Sequence, residues 1–273
     1  MKRILEKIRK KLRVFFARQG YTCDGCGTEL FDYPLHRFCE DCESKMLKND
    51  RHACIKCGRK TVTEGVCLDC KRKLPRFTVG ASPFVYGGQT AAYINQMKNG
   101  NQRLALYFGE RAAAALLRSV PDIKMQFDGG RYALNEKDTL LILPVPLTKQ
   151  KRKERGYNQA ELLARSVATA LEKAGVAVTV DRYVLEKRRD TAQQKHLRFA
   201  DREKNVVGAY HLHKRALCKG RTVLLVDDIM TTGATGSECA RLLFGAGAKR
   251  VIFLVAAALP ESKKRSDKPL ANG

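Results

Sequence analysis

The stretch that decides the fold is VLLVDDIMTTGAT, residues 223–235. Its first four residues are typical of a buried strand, two acids follow, and the glycine and threonines after them open a helix. Backbone amides at a helix N-terminus hold phosphate, and Gly233 allows close approach to the backbone. The carboxylates of Asp227 and Asp228 suit ribose hydroxyls, which donate to them. A strand end with an Asp turn and Thr caps is the plainer alternative, but the ordered combination predicts a sugar-phosphate site.

Around this stretch, continuous apolar strands alternate with helical periodicity. The pattern predicts an α/β fold with a parallel sheet flanked by helices. In such a sheet, ligands bind at the carboxyl ends of the strands. The predicted strands are 139–145, 176–180, a strand opening at residue 220, and 250–256, and the predicted helices are 103–117, 158–172 and 233–244.

Eight of the ten cysteines form four Cys-x-x-Cys pairs within residues 21–76. Two intervening residues let both thiolates reach one ion, and two such pairs complete a tetrahedral Zn²⁺ shell. We therefore expect two structural zinc sites built from consecutive pairs, although the spacing also permits interleaved pairing. Cys218 and Cys239 stand apart and are expected to be core or surface thiols. The four pairs are Cys23 and Cys26, Cys39 and Cys42, Cys54 and Cys57, and Cys67 and Cys70.

Charge and hydropathy narrow the class of protein. The 52 Lys and Arg residues exceed the 28 Asp and Glu residues, which gives a net charge of +24 and favours polyanionic partners such as nucleic acid. The longest apolar run, 251–259, is nine residues, whereas a membrane span needs about twenty. Residues 1–20 lack the apolar core of an export signal. We therefore expect a cytoplasmic protein without a transmembrane segment, in which thiols stay reduced.

The sequence divides into four parts. Residues 1–20 form a basic amphipathic segment, which either attaches to nucleic acid or a membrane surface or docks on the body as a solvated helix. Residues 21–76 are the double zinc ribbon, which is too small to be stabilised by an apolar core alone. Residues 77–260 form the α/β domain, and residues 261–273 are a polar tail.

The phosphate stretch resembles the phosphoribosyl diphosphate (PRPP) signature of type I phosphoribosyltransferases. Residues 144–148 and 155–160, the run from Arg188 to Gly208, and the cysteine pairs are similar to the ComF (competence protein F) family. The resemblance covers about residues 21–258. It implies a type I phosphoribosyltransferase fold preceded by a small zinc-ribbon domain.

The resemblance also implies roles for individual residues. Asp227 and Asp228 would hold the ribose hydroxyls and act as catalytic residues that stabilise positive charge on the ribose. Arg155 would contact PRPP at the mouth of the site, and Mg²⁺ would accompany the diphosphate. The 5′-phosphate would be held by Thr231, Thr232, Gly233, Ala234 and Thr235, and the diphosphate by Pro146, Leu147 and Thr148.

Neighbouring residues extend this candidate site. The basic run 149–155 supplies cations for a diphosphate, or is a solvated basic loop. Asn158 and Gln159 are further candidate contacts at the mouth. Within the family pattern, Arg188, Thr191 and Gln194 would form a flexible cover.

Three functional hypotheses follow. The first is a ComF-like protein that binds PRPP and single-stranded DNA and works with DNA-uptake machinery proteins during competence. The second is a nucleotide-salvage phosphoribosyltransferase, which leaves the zinc ribbon and the charge unexplained. The third is a non-catalytic DNA-binding module regulated by PRPP. No set of residues in the sequence identifies an acceptor base.

Overall fold

A parallel β-sheet forms the centre of the protein, whose computed structural model describes residues 22–31, 36–128, 139–189 and 206–262. The strands are β1 (Val79–Ala81), β2 (Phe84–Val85), β3 (Leu140–Pro144), β4 (Val178–Val180), β5 (Leu185–Lys187), β6 (Tyr210–Leu212), β7 (Thr222–Met230) and β8 (Arg250–Ala258). The sheet order is β1-β8-β7-β3-β4, and β2 pairs with the far end of β8. Strands β5 and β6 form a separate antiparallel pair.

Eight α-helices lie in the described part of the chain. They are α1 (Glu40–Ser44), α2 (Leu68–Arg72), α3 (Gly88–Lys98), α4 (Leu104–Ser119), α5 (Asp122–Gln126), α6 (Lys149–Arg155), α7 (Gln159–Lys173) and α8 (Ala234–Gly245). Within these described residues, no helix combines the length and apolar character that crossing a bilayer requires.

The predicted α/β fold is confirmed, with small shifts at the ends of elements. The basic run after Thr148 is helix α6 because the Thr148 side chain accepts a hydrogen bond from the Lys151 N–H and caps the first turn. Several elements were not predicted: the short strands β1 and β2, the β5–β6 pair, and helices α1, α2, α3, α5 and α6. Each is short or weakly apolar, so its sequence carries little periodic signal.

The sheet is buried on both faces, which explains its continuous apolar strands. Leu140 and Ile142 of β3 face a core that includes α3, α4 and α7. Leu141 and Leu143 face the opposite core, formed by α8 and the β5–β6 pair. The alternation follows from the two-residue period of a strand.

Each cysteine group packs into one of these two cores. The core with α3, α4 and α7 contains Cys23 and Cys42 from the first group. The core with α8 contains all four cysteines of the second group. The ribbon region is therefore integrated with the sheet on both sides and is not a separate globule.

The start of the predicted polar tail is held against the second cysteine group. The Leu68 N–H donates to Glu261 Oε1 at 2.5 Å, and Ser262 donates to the carboxylate of Asp69 through both its N–H and its hydroxyl. These two residues therefore belong to the folded body. Residues 263–273 lie outside the described residues, as does the basic segment 1–20.

Candidate ribose-phosphate site and tetracysteine clusters

A cavity of about 390 Å³ opens where β7 leaves the sheet. It brings the two predicted ribose carboxylates together with the whole predicted phosphate loop. Other residues complete its wall, including Tyr86 and Lys98 from the segment around α3. The lining residues are Tyr86, Lys98, Asp227, Asp228, Ile229, Met230, Thr231, Thr232, Gly233, Ala234, Thr235, Phe253 and Leu259.

The phosphate loop, residues 231–235, turns directly from β7 into α8. Gly233 adopts the left-handed conformation with φ 81°, which side chains disfavour, and α8 starts at the next residue. Thr232 Oγ1 accepts a hydrogen bond from the Ala234 N–H at 3.3 Å. The first amides of a helix have no partner four residues earlier and carry a partial positive charge. The loop is therefore shaped to receive an anionic group.

The two carboxylates of the site have opposite electrostatic environments. Burial raises the pKa of Asp227 well above its ordinary value, and the adjacent charge of Asp228 raises it further. Burial alone would also raise the pKa of Asp228, but the Lys98 ammonium outweighs it and leaves that pKa below the ordinary value. Asp227 Oδ1 accepts a hydrogen bond from the Asp228 N–H at 2.8 Å. One carboxylate is thus held ionised, while the other is easily protonated.

Lys98 is a charged residue of the cavity that sequence reasoning missed. It is the last residue of α3, and its Nζ lies 2.7 Å from Asp228 Oδ2 with only 18% of the side chain exposed. Tyr157 holds this end of the helix, because its hydroxyl donates to the Met97 carbonyl at 2.5 Å and accepts from the Gly100 N–H at 2.9 Å. No local motif marks Lys98, since the contact depends on how α3 crosses the sheet edge.

The predicted diphosphate loop lies beside the cavity but does not line it. The Val145 N–H donates to the Val226 carbonyl at 2.8 Å, so β3 and β7 deliver their following residues to the same sheet edge. Pro146 and Leu147 are half-buried there, and Thr148 is buried as the cap of α6. Among the described residues that line the cavity, none comes from 146–148.

The predicted contacts at the mouth serve local structure. Arg155 Nη1 donates to Gln159 Oε1 at 3.0 Å. Asn158 is buried, caps α7 through the Ala160 N–H, and donates to the Val145 carbonyl at 3.0 Å. These contacts hold the end of β3 against α7. Thr191 and Gln194 of the predicted cover lie outside the described residues, whereas Arg188 pairs with Glu186 beside β5.

The eight paired cysteines gather into two clusters. Cys23, Cys26, Cys39 and Cys42 form one cluster, and Cys54, Cys57, Cys67 and Cys70 form the other; in each, the four sulfurs lie within 4.8 Å of one another. The consecutive pairing is therefore the one that the fold assembles.

The spacing of the sulfurs fits a tetrahedral ion. The Sγ atoms of Cys26 and Cys39 are 3.7 Å apart, as are those of Cys57 and Cys67. Zinc–thiolate bonds of about 2.3 Å give a tetrahedron whose edges are about 3.8 Å. The remaining thiols, Cys218 and Cys239, are buried in the core, and burial raises the pKa of both.

Comparison with known proteins matches residues 157–273 to the phosphoribosyl transferase domain. The chain is 26% identical over 215 residues to "Competence protein ComFC" of Bacillus subtilis, covering 78% of this chain and 80% of the relative. It is 28% identical to "Competence protein F" of Haemophilus influenzae, covering 84% and 86%. It is 29% identical to "DNA utilization protein YhgH" of Salmonella typhimurium, covering 72% and 80%.

Proposed function

We propose that the protein binds PRPP and acts on single-stranded DNA in competence or DNA utilization. The proposal starts from the membership of this chain in the ComF family of phosphoribosyltransferase-like proteins. The observation that carries the PRPP proposal is the single cavity shared by Asp227, Asp228 and the phosphate loop. An acid pair alone or a threonine loop alone is ordinary, whereas their convergence fits a ribose 5-phosphate.

Each part of PRPP has a chemical counterpart in the site. Loop residues 231–235 offer helix N-terminal amides and hydroxyls to the 5′-phosphate. The carboxylates of Asp227 and Asp228 accept hydrogen bonds from the ribose hydroxyls. They are also oxygen donors of the type that Mg²⁺ takes in proteins, and an ion held there with the diphosphate would neutralise charge on that leaving group.

The site suits transfer at the ribose C1 carbon. An acceptor nucleophile forms a bond to C1 as the bond from C1 to the diphosphate oxygen breaks, and the diphosphate leaves with the electron pair. Positive charge would develop on the ribose in the transition state, and the carboxylates of Asp227 and Asp228 would stabilise it electrostatically. The residues that line the cavity do not identify a particular acceptor nucleophile.

The two tetracysteine clusters would each hold one structural Zn²⁺. Four thiolates fill a tetrahedral shell and leave no position for substrate. Zinc binding would then stabilise the short segments around α1 and α2, which carry few apolar residues of their own.

DNA binding is supported by the net charge of +24. Lysine and arginine side chains that neutralise DNA phosphates release counterions, which makes affinity strongly dependent on salt. The names of the relatives place them in competence and DNA utilization, which agrees with a nucleic-acid partner.

Calorimetry with Mg-PRPP tests the first half of the proposal. We expect the wild-type protein to bind and Asp228→Asn to lose at least roughly tenfold in affinity, because a charged acceptor of the ribose is removed. The matched control is Asp181→Asn. Asp181 also pairs with a lysine, at 2.7 Å from Lys214 Nζ, but it lies outside the cavity. Equal losses in both variants would contradict the proposed site, and absence of wild-type binding would overturn it.

Titration of the same protein with a single-stranded oligonucleotide tests the second half. We expect binding at low salt that weakens at least about a hundredfold between about 50 and 200 mM salt. Absence of binding at low salt would rule out the DNA-handling role. Release of diphosphate with a common nucleobase, in the same preparation without DNA affinity, would favour the salvage enzyme instead.

A further inference from the structure

The second tetracysteine cluster touches the phosphate loop through one buried arginine. Arg59 is 4% exposed. Its Nη2 donates to the Thr231 carbonyl at 2.9 Å, its Nη1 donates to Asp69 Oδ2 at 2.8 Å, and its Nε donates to Cys57 Sγ at 3.3 Å. One guanidinium therefore joins a cluster sulfur, a buried carboxylate and the backbone of the loop.

The support behind Arg59 is rigid. The knuckle at Gly58 packs backbone to backbone on β1, since a Cβ at Gly58 would lie 2.4 Å from the Gly80 carbonyl oxygen. Asp69 is 7% exposed and also accepts hydrogen bonds from Ser262. The guanidinium is thus fixed from both sides, and its position is set by the cluster and not by solvent.

The contact with Thr231 determines which way a loop amide points. In a trans peptide the carbonyl and the following N–H point in opposite directions. Because the Thr231 carbonyl is directed at Arg59, the Thr232 N–H is directed away from Arg59 and the cluster. Thr231 and Thr232 line the ribose-phosphate cavity, whereas Arg59 lines a neighbouring cavity that shares Thr232, Gly233 and Ala234 with it.

We propose that Arg59 is a positioning residue that turns the Thr231–Thr232 peptide so that its N–H serves the phosphate, making the second tetracysteine cluster a working part of the ribose-phosphate site. The inference rests on the proposed PRPP function. Arginine is suited to the task because its planar fork holds donors in fixed directions toward three separated acceptors, whereas a lysine ammonium carries three donors on one atom at the end of a flexible stem.

The test measures binding of ribose 5-phosphate by calorimetry and the amide proton signal of Thr232 by NMR, in the full chain. We expect Arg59→Lys to weaken binding roughly tenfold, because a buried charge-assisted hydrogen bond is lost. We also expect the ligand-induced shift of the Thr232 amide proton to shrink. The control is Arg37→Lys, since Arg37 is likewise buried and pairs with Asp24 at 2.7 Å beside the first cluster. It should retain wild-type affinity and the full Thr232 shift.

The outcomes separate this inference from the proposed function. Wild-type protein that fails to bind ribose 5-phosphate overturns both. Wild-type binding with unchanged affinity and an unchanged Thr232 shift in Arg59→Lys overturns the inference alone. If Arg59→Lys does not fold, Asp69→Asn decides, because it leaves the arginine but removes the carboxylate that orients it. A weakening of about threefold with a reduced Thr232 shift supports the inference, and unchanged values overturn it.

Discussion

Lys98 Nζ lies 2.7 Å from Asp228 Oδ2, so a carboxylate expected to bind ribose already has a cationic partner. Two adjacent carboxylates in a buried site cannot both ionise cheaply. Lys98 decides between them, because it favours the ionised form of Asp228 while burial and the Asp228 charge raise the pKa of Asp227. In the free protein Asp228 is thus a fixed anion, whereas the protonation state of Asp227 can change when ligand hydroxyls or ions bind.

A double-mutant cycle on this pair should show coupling. We expect Lys98→Met and Asp228→Asn each to lower the free energy of unfolding by about 1–3 kcal/mol, because each leaves a buried polar group unpaired. The double variant should lose at least about 1 kcal/mol less than the sum. Urea unfolding at neutral pH measures all four states.

The pair between Lys214 and Asp181 is the control for this cycle. Its nitrogen and oxygen are also 2.7 Å apart, but the lysine side chain is 47% exposed. Solvent screening should hold its coupling to about 1 kcal/mol or less. Additive effects at Lys98 and Asp228 would show that their contact contributes nothing to folding.

Asp227→Asn should stabilise the protein and lower its affinity for the ligand. An amide removes the cost of burying a charge beside Asp228, so we expect a gain of about 1–2 kcal/mol in the free energy of unfolding. Affinity for Mg-PRPP should fall at least roughly tenfold, since a charged acceptor is lost. Thermal unfolding and calorimetry measure the two effects, and a destabilised variant would contradict the raised pKa.

The gain should depend on pH in a defined direction. The folded-state pKa of Asp227 lies above its ordinary value of 3.8. Below that ordinary value the carboxyl is protonated in both folded and unfolded chains, so the variant and the wild type should have similar stability. Between that value and the folded pKa only the unfolded wild-type chain ionises, so the advantage of the variant should grow as pH rises. Above the folded pKa both states of the wild type are ionised, and the advantage should level off. An advantage independent of pH would assign the gain to another cause.

The strand, turn and helix of residues 223–235 and the grouping of the eight cysteines could be predicted because their signals are local. An apolar run that ends in acids, a glycine and threonines specifies a strand, turn and helix within 13 residues, 223–235. Cys-x-x-Cys spacing is set by the geometry of one turn. Helix α6 was not predicted, although Thr148 is a good N-cap and precedes a run of helix formers.

Lys98 and Arg59 could not be predicted because their roles are set by tertiary packing. Arg59 contacts the Thr231 carbonyl across 172 residues of sequence. In a chain of net charge +24, one further basic residue carries no signal of a special role. The role of each side chain depends on its being buried in contact with a particular acceptor. Neither hydrophobic periodicity nor motif spacing reports such a contact.

Metal analysis of two double variants should establish which cysteines share an ion. Cys54→Ser with Cys67→Ser alters only the second cluster, so we expect one of two zinc ions to be lost. Cys26→Ser with Cys54→Ser alters both clusters and should lose both ions. If the first Cys-x-x-Cys pair shared an ion with the third, and the second pair with the fourth, the reverse pattern would be expected. The comparison needs no assumption about activity.

Gly58→Ala should be much more damaging than a matched glycine replacement in the same ribbon. Gly58 has φ 72°, and an added Cβ would lie 2.4 Å from the Gly80 carbonyl oxygen. Gly65 has φ 101°, but an added Cβ would meet no heavy atom within 4 Å. Gly65→Ala therefore carries backbone strain alone, at a cost of about 1 kcal/mol, whereas Gly58→Ala also forces two backbones apart and should cost about 2–4 kcal/mol.

Urea unfolding measures both glycine variants, and zinc content shows whether the cluster survives. Since Cys57 precedes Gly58 and donates its sulfur to the cluster that supports Arg59, displacement of this knuckle should also weaken ribose 5-phosphate binding. Gly65→Ala should leave that affinity within about twofold of the wild type, because surface changes away from a site are usually small. Equal losses of stability in the two variants would mean that the knuckle is not seated on β1 as described.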